Sequence, residues 1–112
     1  MPKNLFPLDS AKPFPDQETV GHNRWHPDIP AIQTVQPGDT FRVDCREWFD
    51  GDIHNDDSAD DIRDAPLNKV HALSGPFRIE GAKPGDLLVV DILDVGPIPQ
   101  EEGPLAGQGW GY

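Results

Sequence analysis

With 112 residues the chain holds one domain at most and a modest core, too small for an ordinary hydrolase with a deep pocket of its own. Twenty acidic against nine basic side chains leave a formal charge of −11, and with no basic patch in the sequence this argues against nucleic acid as a partner. A single cysteine excludes an intrachain disulfide, and no apolar run reaches the ~20 residues that a membrane span needs.

The N-terminus has no basic stretch leading into an apolar one, so a cytoplasmic location is expected. Thirteen prolines and 11 glycines cut the chain into short segments, which favours strands and turns over long helices. Residues 1–20 are polar and proline-broken. Leu5, Phe6, Leu8 and Phe14 are their scattered anchors, and the segment reads as an arm draped over a larger body.

Gly21 to Pro27 (GHNRWHP) packs two imidazoles, an amide, a guanidinium and an indole into seven residues. That mixture suits a pocket for a small polar molecule, with His22, Asn23 and His26 as candidate substrate-binding groups. A loop in which Trp25 fills the core and the histidines are solvated fits the same residues. A zinc pair at His22 and His26 would need a helix, which Pro27 disfavours.

Ile29 to Val35 is a candidate strand leading into Pro37-Gly38-Asp39, a turn signal in which proline presets φ, glycine accepts positive φ and aspartate can bond nearby backbone. Phe41, Val43 and Cys45 then alternate with Arg42, Asp44 and Arg46, a strand with one buried face. That parity points Asp44 away from the core and puts Cys45 on the buried side. The same grammar returns in Pro84-Gly85-Asp86-Leu87-Leu88-Val89-Val90-Asp91-Ile92. Being apolar on both faces, this second strand is expected to lie deeper than the first.

From Asp50 to Asp64 there are seven aspartates against one arginine, Arg63. Such a run is a solvated acidic loop, a set of crowded carboxylates with raised pKa values, or a site for a hard cation or zinc. The start Asp50-x-Asp52-x-His54 is not an EF-hand, because Asn55 stands where the turn glycine belongs. Asp60 to Val70 has room for one helical turn, limited by Pro66. Leu73 to Glu80 gives a further turn and alternating strand, with Phe77 and Ile79 on one side. The expected fold is mostly β, antiparallel and sandwich-like, with little helix: an arm at 1–20, a β domain at 21–97 and an irregular tail at 98–112. Trp110 and Tyr112, set between glycines in that tail, suit packing against another polypeptide.

Four segments in order, GHNRWHPDIP (21–30), PGDTFRVDCREW (37–48), IHNDDSADDIRD (53–64) and SGPFRIEGAKPGDLLVVDILDV (74–95), resemble the N-terminal portion of the acetamidase/formamidase family, and most of all its formamidase branch. The resemblance covers nearly the whole chain. It implies hydrolysis of short aliphatic amides, formamide to formate and ammonia, on a β-sandwich that forms oligomers. Members of that family are much longer, so the resemblance also implies a second polypeptide completing the fold, with the completed unit forming a homo-oligomer. The family commonly has Gly-Gln where this chain has Gly51-Asp52.

Amide hydrolysis needs a nucleophile or activated water, donors for the oxyanion and an acid for the departing ammonia. The chain has no Gly-x-Ser-x-Gly elbow, and Cys45 reads better as a small core residue than as a nucleophile. The candidate catalytic residues are therefore Asp44, Asp56 and His54, acting on water. The cofactor is left open; a divalent ion, zinc or calcium, held by His54 and Asp56 is the one these residue types allow. Two other readings stand beside the enzyme: a noncatalytic structural subunit or fragment of one, and a stand-alone ligand-binding β domain.

Overall fold

Proline and glycine interrupt every apolar run before it can grow long, and the fold follows from that. A computed structural model describes residues 1–104 and 106–109. Its elements are four short strands, β1 (Lys3–Phe6), β2 (Gln33–Val35), β3 (Phe41–Val43) and β4 (Phe77–Ile79), a 3-10 turn at Phe14–Asp16 and one short helix, α1 (Asp60–Asp64). The chain divides into two compact units, Met1–Gly81 and Ala82–Tyr112.

The expectation of a mostly β chain with little helix holds, but the strands do not pair as antiparallel neighbours. β1 pairs with β3 and β2 with β4, both parallel. Each pair is joined by a connection of some thirty residues or more, long enough for a parallel crossover, whereas the tight turn between β2 and β3 sends the chain from one sheet to the other instead of closing a hairpin. Among the described residues of the first unit, the antiparallel contact is a single bridge, with His22 N–H bonded to Leu73 O at 3.0 Å and Leu73 N–H to His22 O at 2.8 Å.

Residues 1–20, expected to form an arm draped over a larger body, supply most of the buried cluster of the first unit. Phe6 is completely buried at the end of β1 and stacks on Phe14, with ring centroids 5.9 Å apart. Ala72 completes the buried cluster, against which Leu8, Ile32, Val43 and Phe77 pack. Buried Gln17 ties the intervening loop, accepting from Asp9 N–H at 2.8 Å and donating to the carbonyls of Asp9 and Lys12, both at 2.9 Å.

The two PGD turns share one geometry. Asp39 N–H bonds Gln36 O at 3.1 Å, Gln36 N–H bonds the Asp39 carboxylate at 2.8 Å, and Gly38 sits at φ 89°. In the second unit Asp86 N–H bonds Lys83 O at 3.1 Å, Lys83 N–H bonds the Asp86 carboxylate at 3.0 Å, and Gly85 sits at φ 94°. Proline at the second position and a positive-φ glycine at the third are what a type II turn requires.

The segments after the two turns differ. β3 pairs with β1, but Leu87 to Val95 forms no ladder, and its apolar side chains are exposed rather than deep in a sheet. A strand exists through its partners, and among the described residues none offers an edge to this one. Trp110 and Tyr112 lie outside the described residues.

Candidate functional site

The end of β3 sets the site. Its register against β1 slips between Asn4 and Phe6, and regular pairing stops at Val43. The alternation read from the sequence is lost at that point. Asp44 turns inward and is buried, while Cys45 is exposed. The Asp44 carboxylate is filled by donors: Asn4 Nδ2 at 2.9 Å and Leu8 N–H at 3.2 Å on one oxygen, Arg42 Nε at 2.9 Å on the other. Its backbone carbonyl accepts from Ser74 Oγ at 2.7 Å, which fastens the 71–74 segment to the end of the strand.

Beyond Asp44 the chain enters an open cleft of about 460 Å³ in the first unit. It is lined by His22, Trp25, Cys45, Arg46, Trp48 and the segment His71, Ala72, Leu73 and Ser74. The His22–Leu73 bridge holds the histidine-rich loop against that segment. Arg24 clamps the same side, its guanidinium donating to the carbonyls of Asn23, Asn68 and Val70. Trp48 meets the His71 ring edge-on at 6.0 Å.

His22 Nδ1 lies 2.8 Å from the Arg24 carbonyl oxygen. A carbonyl only accepts, so this nitrogen carries a proton, and Nε2 is the acceptor in the corresponding neutral tautomer. The walls thus combine an imidazole acceptor, a second imidazole, a thiol, a hydroxyl and two indoles, a set able to hold a small carboxamide by its N–H and C=O groups. Of the three residues expected to bind substrate, only His22 lines this cleft. Asn23 donates to Asn68 O at 3.3 Å, and His26 is exposed, with Nδ1 accepting from Asp28 N–H at 3.2 Å.

The acidic run makes a second, shallower hollow of about 370 Å³, lined by Asp52, His54, Asp61, Asp64, Ala65, Pro66 and Lys69. Helix α1 gives it a wall. Ser58 Oγ accepts from Asp60 N–H at 3.1 Å at its start, and Ala65, held extended by the following Pro66, stops it. Asp61 of α1 is brought back to His54: one carboxylate oxygen accepts from His54 N–H at 2.9 Å and lies 3.0 Å from His54 Nδ1. The side-chain bond to Asp61, then its charge, lifts the His54 pKa above the ordinary imidazole value; the bonds from His54 in turn hold Asp61 below the usual carboxylate range.

Asp56 does not line this hollow; its carboxylate accepts from Ser58 N–H at 3.1 Å, closing an Asx turn. Asp52 pairs with Lys69 at 2.6 Å. Among the described residues no three His, Cys, Asp or Glu side chains converge closely enough to hold a metal ion, and His54 with Asp56 is one donor pair short of the usual tetrahedral set.

Sequence reasoning missed His71, Ser74 and Trp48 as neighbours of His22, and Asp61 as the partner of His54. For Trp48, Asp61 and Ser74 the one signal was membership of the segments carrying the family resemblance; His71 lies between two of those segments and had none.

The comparisons with known proteins agree with that resemblance. The Acetamidase/Formamidase family model matches residues 7–112. The chain is 60% identical to the acetamidase of Mycolicibacterium smegmatis over all 112 residues, which make up 28% of that protein. It is 51% identical to the formamidase of Methylophilus methylotrophus over 98% of its own length and 25% of that protein's. Among solved structures it matches the gamma lactamase from Delftia acidovorans with a TM-score of 0.81 at 49% identity, covering 86% of this chain and 23% of that one. The chain thus spans about a quarter of the length of the relatives it matches. By family model and by identity along its whole length, the chain belongs to the acetamidase/formamidase family.

Proposed function

We propose that this chain is part of an amidohydrolase that splits a short aliphatic amide, formamide and water giving formate and ammonium, and that it turns over only together with a second polypeptide supplying the rest of the enzyme. The observation carrying this reading is the cleft at His22, Cys45, His71 and Ser74 in a chain 60% identical to an acetamidase. The β-sandwich and the homo-oligomer implied by the family are proposed for the completed unit, not for this chain's own strand pairs.

In this reading His22 takes the amide N–H at Nε2. His54, at the acidic hollow rather than in the cleft, is the proposed proton carrier, with Asp61 orienting its ring through Nδ1. Asp56 is the candidate carboxylate base beside it, and Asn23 and His26 shape the loop that carries His22. Asp44, its oxygens already filled, acts as a positioning residue that fixes Ser74 at the cleft wall.

The test is ammonia release from formamide and acetamide by the assembled enzyme. His54→Ala should lower turnover by roughly 10²–10⁴-fold, the usual contribution of a general acid–base. Full activity of Asp56→Asn removes that residue from the base role, and full activity of His54→Ala removes the proton carrier. A second reading, a structural subunit whose partner holds the catalytic groups, is favoured by the filled carboxylate of Asp44. Turnover retained in Asp44→Asn, Asp56→Asn and His54→Ala alike, with altered assembly, selects it.

A further inference from the structure

We propose that Leu87 to Val95 is an assembly strand that inserts between two strands of the second polypeptide, as an interior strand covered on both faces. The inference rests on the proposal that such a polypeptide completes the enzyme, and it names the segment and the mode of joining. The occupant is the part of the family's chain beyond the quarter represented here.

Three observations carry it. Leu87, Leu88, Val89, Val90, Ile92, Leu93 and Val95 are 57–89% exposed, seven large aliphatic side chains in nine residues, broken only by Asp91 and Asp94. Their backbone N–H groups make no hydrogen bond among the described residues. The run is also framed as a strand is framed, by the Lys83–Asp86 turn before it and by Gly96 and Pro97, whose missing donor ends a ladder, after it.

An extended chain presents alternate residues to opposite faces. Leu87, Val89, Leu93 and Val95 then share one face with Asp91, and Leu88, Val90 and Ile92 share the other with Asp94. A partner that covered one face would leave three or four large aliphatic side chains in water. Both faces therefore need cover. Burying both faces also strips water from the backbone, so both edges need strands to satisfy its N–H and C=O groups. The occupant must also set a cation or hydrogen-bond donor opposite Asp91 and another opposite Asp94, since an unpaired buried carboxylate would oppose assembly. An interior strand of a sheet packed on two sides meets all of these conditions.

The probe is the remainder of the Mycolicibacterium smegmatis acetamidase, expressed as a separate polypeptide together with this chain and purified as a complex. Amide hydrogen exchange is read over residues 87–95, none of which is proline. In the complex every amide of the run should exchange about 100-fold more slowly, or slower still, than in the chain alone. Val89→Lys and Val90→Lys, one on each face, should each weaken association by about 10-fold or more, since a charge would be buried in either case. Protection at alternate amides means an edge strand and overturns the interior placement. Sensitivity to only one of the two lysines means one covered face, with the same result. A complex in which 87–95 still exchanges freely overturns the inference but leaves the partner reading standing, whereas no complex at all overturns both. Protection that grows with concentration in this chain alone makes a second copy the occupant, and that too overturns the proposal.

Discussion

Asp50 is the one aspartate of the acidic run that the fold has taken inside, and replacing it with asparagine separates structural from solvated carboxylates. One Asp50 oxygen accepts from Arg46 Nε at 2.8 Å, and both lie about as far from Phe14 N–H, at 3.0 and 3.1 Å. The pair is well shielded, with 17% of the Arg46 side chain and 5% of the Asp50 side chain exposed. Asparagine keeps the size and tolerates the φ of 57° found there, so the loss is the charge on the acceptor and one of its two oxygens. A hydrogen bond to a charged group contributes about 1.5–3 kcal/mol, and an amide cannot compensate a guanidinium held away from water. Asp50→Asn should therefore cost about 2–3 kcal/mol. Urea unfolding followed by tryptophan fluorescence should show a midpoint lower by about 1–2 M with an unchanged slope. Asp57 is the control, because it has the same φ of 57° but is exposed and makes no such pair; Asp57→Asn should stay within about 0.5 kcal/mol of the unaltered chain. If the two substitutions shift the midpoint equally, the shielded pair is not what holds this loop.

Phe6→Ala removes the only fully buried large side chain among the described residues and its stack on Phe14, and should cost about 3–5 kcal/mol in the same unfolding experiment. Ser74→Ala should cost about 1 kcal/mol through loss of its bond to the Asp44 carbonyl, and should loosen the His71–Leu73 amides in hydrogen exchange while leaving those of β4 unchanged. For the His54–Asp61 pair the signs are opposite at the two ends of the pH scale. The raised His54 value makes its contribution complete below about pH 6.5 and lost as pH rises through the folded-state value. The lowered Asp61 value makes its contribution complete above about pH 4 and lost as pH falls through the folded-state value. The tie between the 53–55 loop and α1 should thus be whole between roughly pH 4 and 6.5. A proton NMR titration of His54 should give a midpoint above 6.5 that moves back toward it in Asp61→Asn, and an unmoved midpoint would remove Asp61 as the cause.

The elements whose conformation is decided within four residues could be read from the sequence. Both PGD turns formed because proline, glycine and aspartate each fix one feature of the same turn, and α1 stopped at Ala65 because the next residue is Pro66. Strand pairing could not be read this way, since the choice of β1 for β3 and of β4 for β2 depends on contacts across tens of residues. The same limit misplaced Asp44 and Cys45. The parity argument failed because the register slips before the last pair of the ladder and regular pairing stops at Val43, one residue short of Asp44. His22 was found because its loop is chemically dense, whereas His71 and Ser74 stand in a segment of ordinary composition that the Leu73 bridge and the Ser74–Asp44 bond, both long-range, carry to the cleft. Composition identified the acidic run, but not that Asp50 is buried, that Asp61 serves His54 and that Asp56 closes its own turn.

The segment Leu87 to Ile92, expected to lie deep, is exposed, and the physical reason for that expectation still applies to it. Apolar residues on both faces call for cover on both faces. What the sequence could not say is where the cover comes from, and the relatives, about four times as long, indicate a source.

The central claim is that this chain is an amidohydrolase component whose activity needs the rest of the family's architecture. Its most direct test is the rate of ammonia release from formamide and acetamide, measured on the chain alone and on its purified complex with the remainder of the Mycolicibacterium smegmatis acetamidase. The account predicts turnover by the complex and none by either polypeptide separately. A stable complex that releases no ammonia from either amide, or equal turnover by the second polypeptide without this chain, would contradict it.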